Sequence, residues 1–194
     1  SEGFITQQPP YTIARLLKAG DVLHFDALTI ECVLLPGHCF DQLGFLVTDS
    51  ASGTTSFFVG DALFGAAMLK RYWIPFMLEP ELFRKSVERI ENTVADFFIP
   101  SHGSVYTKDS VQAISEMNQV VTLETETLIL KTLKKARLTQ EELLEAVAGF
   151  AGIDLKLSQF VLIGCTLRSY LSSLYRRNII DYIIEDNRML WSIK

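Results

Sequence analysis

The sequence is poor in the residues that would assign it to several common classes of protein. Its 194 residues include three cysteines, Cys32, Cys39 and Cys165, with no Cys-x-x-Cys spacing. This odd number argues against a disulfide framework and favours free thiols in a reducing cytoplasm, so we expect a cytoplasmic protein. No uninterrupted apolar run approaches the ~20 residues that a membrane helix needs, and we therefore expect no membrane partner.

Basic charge is also scarce. Residues 1–119 carry 8 Lys and Arg against 14 Asp and Glu, a net charge of −6, and residues 120–194 carry 10 against 9, a net charge of +1. Surfaces that bind nucleic acid are usually clearly basic, so nucleic acid is not an expected partner. The apolar fraction of 48% with 21% charged residues is typical of a packed globular protein rather than a disordered one.

Three side chains that can bind metal each follow a run that predicts a buried strand. His38 follows the run at residues 28–35, Asp61 follows the run at 54–59, and His102 follows the run at 97–99. Side chains at the ends of neighbouring strands can converge although they lie far apart in sequence. Two imidazoles and a carboxylate suit a zinc-like divalent ion, and a carboxylate can bridge two ions. The ordered set therefore predicts a metal site.

At these residues the sequence resembles the metallo-β-lactamase-fold hydrolases. Leu-Pro-Gly-His at 35–38 resembles the approach to the family's third metal motif, Gly60-Asp61 its bridging-aspartate motif, and Ser-His-Gly at 101–103 its last histidine motif. The resemblance covers roughly residues 18–104. It implies a two-sheet αβ/βα sandwich with a metal site between the sheet edges. It also implies a hydrolase that activates water on one or two ions of zinc, iron or manganese.

One part of the family's pattern is missing. The fold normally opens with a His-x-His-x-Asp-His motif, but the only histidines here are His24, His38 and His102. We therefore expect an α+β chain that is the C-terminal half of the sandwich, from a longer hydrolase. The resemblance implies that His38 binds the first ion, His102 the second, and Asp61 bridges them. Each ion would then have one histidine and the shared aspartate, fewer than the three or four protein ligands of a zinc site. We therefore expect incomplete or absent metal and no activity in this chain alone.

The pattern of the remaining residues predicts two domains, 1–121 and 122–194. In the first we expect strands at 22–25, 28–35, 43–47, 54–59 and 97–99, and helices at 79–94 and from an N-cap at Asp109 to about 121. In the second we expect helices at 124–136, from the capping box Thr139–Glu142 to about 150, and at 157–178, and then a hairpin around Asp186-Asn187. Three helices and a hairpin resemble a small winged-helix domain, which one branch of these hydrolases carries at its C-terminus.

Other polar residues have more ordinary interpretations. His24 is expected to be an exposed strand residue, and Cys39 a small buried residue rather than a ligand. Asp41 is equally well interpreted as a turn carboxylate or as the acceptor that orients His38. The segment 64–78, which includes Lys70 and Trp73, is interpreted either as part of a substrate cleft or as a surface loop.

Two hypotheses for function follow. The first is a fragment of a metal-dependent hydrolase that cleaves a small-molecule ester, thioester, lactam or phosphodiester, with no further catalytic residue identified. The second is a winged-helix regulatory or interaction protein whose first domain is a non-catalytic scaffold. The long helix of the second domain has few basic residues, which favours an interaction or dimerisation role over DNA binding.

Half of a two-sheet sandwich would leave one apolar sheet face without its partner. The side chains left without a partner are expected to be among the apolar strand residues Leu23, Phe25, Ile30, Phe45, Val47, Phe57 and Val59. Contiguous exposed apolar surface drives association, so we expect a homo-oligomer.

Overall fold

The structure is a computed structural model that describes residues 12–194. Residues 1–11, with which the first predicted domain begins, lie outside the described residues. The described chain forms a six-stranded sheet, a separate two-stranded hairpin and five helices. No helix within residues 12–194 is both long and apolar enough to cross a membrane.

The six strands lie in the sheet in the same order as in the sequence. They are β1 (Val22–Phe25), β2 (Leu28–Leu34), β3 (Leu43–Asp49), β4 (Thr54–Gly60), β5 (Phe97–Pro100) and β6 (Tyr106–Thr107). All neighbours are antiparallel except β4 and β5, which are parallel and so end at the same edge of the sheet. The five predicted strands are confirmed, whereas the two-residue β6 was not predicted.

Two helices lie in the connection between the parallel strands β4 and β5, where a crossover is required. They are α1 (Ala66–Tyr72) and α2 (Pro80–Glu91). The predicted helix at 79–94 is confirmed as α2 with a shorter C-terminal end, and α1 was not predicted. Pro80 occupies the first turn of α2, where its missing N–H costs no intrahelical hydrogen bond.

One face of the sheet is covered by helices. Phe57 and Val59 of β4 and Phe98 of β5 point into a core that also contains Phe83 and Val87 of α2. Strand residues alternate between faces, so this core accounts for every second residue of the central strands. Burial of each large apolar side chain contributes about 1.5–3 kcal/mol, so this layer is the main stabilising contact of the sheet.

The opposite face of the sheet is apolar and exposed to solvent within the described chain. Its large exposed side chains include Phe25, Leu28, Leu34, Phe58 and Phe97, which are 36–57% exposed. The strand register places Leu23, Ile30, Phe45 and Val47 on this face too, as predicted. The prediction was wrong for Phe57 and Val59, which are fully buried on the helix-covered face.

A single helix, α3 (Val111–Leu133), replaces two predicted helices. Its N-cap is Ser110 rather than Asp109. Thr122 lies between the two predicted helices, and it is buried in α3 together with its polar neighbours Asn118 and Thr125. The hydroxyls of Thr122 and Thr125 donate to the carbonyls of Asn118 and Val121 at 2.6 and 2.8 Å, so these two buried hydroxyls are satisfied inside the helix.

The remaining elements follow the prediction closely. They are α4 (Gln140–Ala151), α5 (Leu157–Arg176), β7 (Ile180–Glu185) and β8 (Arg188–Ile193). Thr139 and Glu142 form the predicted capping box at α4. Asp186 and Asn187 have φ angles of 49° and 60°, as a tight hairpin turn requires.

These elements and the C-terminal half of α3 share a second apolar core. It contains Ile129 of α3, Val147 of α4, Leu167 and Leu174 of α5, and Ile180 of β7. Because α3 runs without a break through residues 121 and 122, it extends into both cores. The division into two domains at that point and the winged-helix assignment stay predictions.

Candidate metal centre

His38 lies in the connection between β2 and β3, directly after Gly37. Gly37 has a φ of 138°, and a Cβ atom there would lie 2.3 Å from the Cα of Phe83, so only glycine fits. The carbonyl of Gly37 accepts hydrogen bonds from the N–H groups of Leu78 and Glu79 at 2.8 and 3.0 Å. These contacts fix the backbone that carries the imidazole of His38 against the start of α2.

The ring of His38 is oriented by a backbone carbonyl. Its Nδ1 lies 2.8 Å from the carbonyl oxygen of Phe76, which can only accept, so Nδ1 carries the proton and donates. In the neutral imidazole Nε2 then presents a lone pair. A hydrogen bond of this kind is typical of histidines that bind metal through the other nitrogen.

Asp61 follows β4 at a sharp turn. Gly60 has a φ of 60°, a conformation that favours glycine, and the N–H of Ala62 donates back to the carbonyl of Val59 at 3.2 Å. The turn directs the Asp61 carboxylate across the sheet edge. Its Oδ2 lies 3.5 Å from Nε2 of His38.

His102 follows β5, the parallel neighbour of β4, in the loop before β6. Its Nε2 lies 3.6 Å from the other carboxylate oxygen of Asp61, Oδ1. The His102 side chain is 55% exposed, whereas those of His38 and Asp61 are about one quarter exposed. The structure thus brings the three predicted residues together, with one carboxylate oxygen facing each imidazole.

This arrangement leaves acceptor atoms without a donor, which a bound cation would satisfy. Oδ1 of Asp61 is buried and has no hydrogen-bond partner among the described residues. With His38 neutral and protonated on Nδ1, its Nε2 and Oδ2 of Asp61 are two acceptors that face each other at 3.5 Å. A zinc ion bonds such atoms at about 2.0–2.2 Å, so two ligands of one ion lie within about 4 Å of each other. Both pairs meet that condition, and the donor set fits a divalent ion.

The fit covers only part of a coordination shell. Across residues 12–194, no group of three or more His, Cys, Asp and Glu side chains converges on one point that could hold an ion. His38 with Asp61, and His102 with Asp61, are therefore two pairs of ligands that share one carboxylate. Protein sites for zinc use three or four ligands, so each pair by itself is incomplete.

The neighbouring candidates do not extend the site. Burial raises the pKa of the Cys39 thiol, and the nearby Asp41 and Asp61 carboxylates raise it further, so the thiol is protonated at neutral pH. Asp41 is exposed, and the acceptor of the His38 ring proton is the carbonyl of Phe76 instead. His24 lies on the exposed strand β1, as predicted, where its ring contacts Thr29.

An apolar cleft of about 360 Å³ opens beside the three residues. The segment 64–78 supplies much of it, which favours the cleft interpretation over that of a surface loop. The lining residues besides His38, Asp61 and His102 are Phe64, Met68, Tyr72, Ile74, Pro75, Phe76, Leu162 and Ile163. The two residues of α5 were not predicted, because no local pattern links a helix near residue 160 to a turn near residue 38.

A larger cavity of about 800 Å³ lies between α4, α5 and the hairpin and shares no lining residue with the apolar cleft. Its lining includes Glu142 and Arg188, which already pair with each other at 3.1 Å. It contains no histidine or cysteine. We therefore regard the smaller cleft, which contains the three metal-binding candidates, as the functional site.

Comparison with solved structures identifies the fold. The chain is similar to a beta-lactamase domain protein from Burkholderia ambifaria, with a TM-score of 0.75 and 18% identity over 96% of this chain. It is also similar to a metallo-beta-lactamase family protein from Thermus thermophilus, with a TM-score of 0.68 and 16% identity over 95% of this chain. The chain has a metallo-β-lactamase fold, as the sequence motifs predicted.

The similarity covers only part of those proteins. The chain spans 53% of the Burkholderia protein and 56% of the Thermus protein, about half of each. No protein-family model and no curated protein matches the sequence. At these identities the structures show the shared fold, and the chemistry must be argued from the site itself.

Proposed function

We propose that this chain is part of a metal-dependent hydrolase, with His38, Asp61 and His102 as its contribution to a site for one or two divalent ions. The observation that carries the proposal is the Asp61 carboxylate, whose two oxygens face two different imidazoles while Oδ1 has no hydrogen-bond partner within the described chain. The ligands that complete each shell would come from polypeptide beyond residues 12–194.

In this proposal each residue has a defined task. The Phe76 carbonyl keeps the ring proton of His38 on Nδ1 and leaves Nε2 free to bind. Asp61 contributes the negative charge that two cations would share, and the apolar cleft excludes bulk water from one side of the reacting bond. A bound zinc, iron or manganese ion supplies Lewis acidity and lowers the pKa of water.

A zinc titration of the chain labelled with ¹⁵N-histidine tests the proposal. The three histidines give three sets of ring signals, and His24 is an internal control because it lies away from the site. We expect zinc to shift the Nε2 signals of His38 and His102 and to leave those of His24 unchanged. Equal shifts of all three histidines, or none at His38 and His102 up to millimolar zinc, would contradict the proposed site.

A further inference from the structure

The cleft beside the candidate metal ligands has an unusually uniform wall. Eleven residues line it, and three of these are His38, Asp61 and His102, which leaves eight. All eight are aliphatic or aromatic, and their only side-chain polar group is the hydroxyl of Tyr72. A cavity of about 360 Å³ is within the size range of small-molecule sites, which are mainly apolar with a few placed polar groups.

The wall offers no cation for a charged substrate. None of the eleven lining residues is lysine or arginine. The nearest basic residues in sequence, Lys70 and Arg71, are exposed on α1 and do not line the cleft. The guanidinium of Arg71 lies 5.2 Å over the ring of Tyr72, which itself lines the cleft. Sites that bind phosphates usually provide arginine or lysine in addition to metal ions.

Helix α5 closes one side of the cleft and gives it a buried end and an open end. Ile163 of α5 and Ile74 are 1% and 3% exposed, whereas Leu162 of α5 is 43% exposed. Leu162 is therefore the solvent-accessible part of the wall that α5 supplies, and the two isoleucines form a buried part. The C-terminal region of the chain thus forms part of the same site as the candidate ligands near β2, β4 and β5.

From these observations we infer that the cleft binds the uncharged apolar group of a carbonyl substrate, such as the acyl or aromatic part of an ester or thioester, and not a phosphodiester. The position of the reacting bond beside Asp61 rests on the proposed function. The binding of the apolar group does not, because it depends only on the wall.

Methionine methyl groups provide a local test in the full chain. The sequence has four methionines, Met68, Met77, Met117 and Met189. Met68 lines the cleft, Met189 lines the separate 800 Å³ cavity, Met77 is fully buried and Met117 is on the exposed surface of α3. In protein labelled with ¹³C-methyl methionine, we expect methyl hexanoate to shift the Met68 signal in a saturable manner and to leave Met117 and Met189 unchanged. We expect dimethyl phosphate at the same concentrations to leave Met68 unchanged.

A matched pair of variants separates the wall from general surface effects. Leu162→Asp places a charge on the wall, and Val161→Asp places the same charge on the adjacent residue of α5, which is 52% exposed and does not line this cleft. We expect Leu162→Asp to weaken methyl hexanoate binding by about tenfold or more, because the ester would lose an apolar contact and meet a charge. Val161→Asp should bind within about twofold of the unchanged chain, a difference of under about 0.5 kcal/mol.

The outcomes distinguish this inference from the proposed function. A Met68 signal that responds to dimethyl phosphate and not to methyl hexanoate would overturn the inference, even if zinc shifts both His38 and His102. Equal weakening by Leu162→Asp and Val161→Asp, or equal shifts of Met68 and Met117, would overturn it as well. Specific ester binding without any zinc effect at the histidines would support the inference and contradict the metal site.

Discussion

The carboxylate of Glu79 pairs with the guanidinium of Arg176, 97 residues later in the sequence. Glu79 is the N-cap residue of α2 and its side chain is only 6% exposed, whereas Arg176 is the last residue of α5 and its side chain is 58% exposed. The pair therefore joins the helix that covers the sheet to the helix that closes the cleft. A carboxylate so buried is costly unless its charge is balanced.

Removal of Arg176 should destabilise the fold. We expect Arg176→Gln to lower the free energy of unfolding by about 1–2 kcal/mol, because Glu79 would stay buried without its partner. This figure is below the usual cost of breaking a buried pair because the arginine end is exposed and screened. Urea unfolding measures the change. Arg188→Gln is the control, since both members of the pair of Arg188 with Glu142 are exposed to solvent and its loss should cost clearly less. Equal losses in the two variants would contradict this role of Glu79.

Metal content is a second prediction. Each imidazole shares Asp61 with the other, and neither pair reaches three ligands within the described residues. We therefore expect the purified chain to hold clearly less than one equivalent of zinc or iron and to show no appreciable hydrolytic turnover. Elemental analysis of the monomeric fraction measures the content, and two tightly held ions per monomer would contradict the incomplete shell.

Loss of Asp61 should weaken zinc binding more than loss of either His38 or His102. Asp61→Ala removes a ligand from both pairs, whereas His38→Ala or His102→Ala removes a ligand from one. We expect Asp61→Ala to abolish the zinc-induced shifts at both remaining histidines, and His38→Ala to leave a weakened shift at His102. Ring-nitrogen spectra during a zinc titration measure this, and His24→Ala should leave the response of the other two histidines unchanged. Retention of full zinc affinity in Asp61→Ala would refute its bridging role.

Much of this site could be predicted from local sequence, because each candidate ligand lies shortly after the end of a strand. A strand of alternating or continuous apolar residues followed by a turn and one polar residue is a local pattern that marks His38, Asp61 and His102 as candidates, and the ordered set of three then predicts the metal site. The Phe76 carbonyl could not be found, because a backbone acceptor has no sequence signature. Leu162 could not be found either, since only the packing of α5 beside the cleft brings it to the site.

The errors in the fold have a related cause. Two helices were predicted, one ending at about 121 and one beginning at 124, and hydroxyl residues such as Thr122 and Thr125 in this region favour caps and turns over helix interiors. In the structure both hydroxyls donate to carbonyls one turn earlier in α3, so burial of polar residues cost the helix little. Phe57 and Val59 were assigned to the open face because alternation shows which residues share a face and not which face is covered.

The capping box at α4 predicts a dependence of stability on pH. Hydrogen bonds from the backbone and hydroxyl of Thr139 lower the pKa of Glu142. A carboxyl whose folded pKa is below its unfolded value contributes stability at neutral pH and loses it as the pH falls from about 4 through the lower folded pKa. We expect Glu142→Gln to reduce the loss of stability on acidification, whereas Glu145→Gln, an exposed position on the same helix, should not. Thermal unfolding at about pH 7 and at about pH 3.5 measures the difference.

The open face of the sheet leads to the last prediction, which concerns association. Phe25, Phe58 and Phe97 are 57%, 42% and 39% exposed on a face that also contains Phe45 and Val47. Exposed apolar patches of this kind are unusual on monomers. A second copy presents the same face, and such a contact can close as a symmetric dimer. We therefore expect sedimentation at micromolar concentration to show a dimer or higher oligomer rather than a dominant monomer.

Charge placed on that face should separate the copies. We expect Phe58→Asp to shift the sedimenting species towards monomer, because a buried unpaired carboxylate at the contact is costly. Val94→Asp is the control, since Val94 is 85% exposed in the loop before β5 and away from the open face. Its oligomeric state should match that of the unchanged chain. A well-behaved monomer before any substitution would contradict self-association, and an oligomer that both variants leave intact would place the contact on another surface.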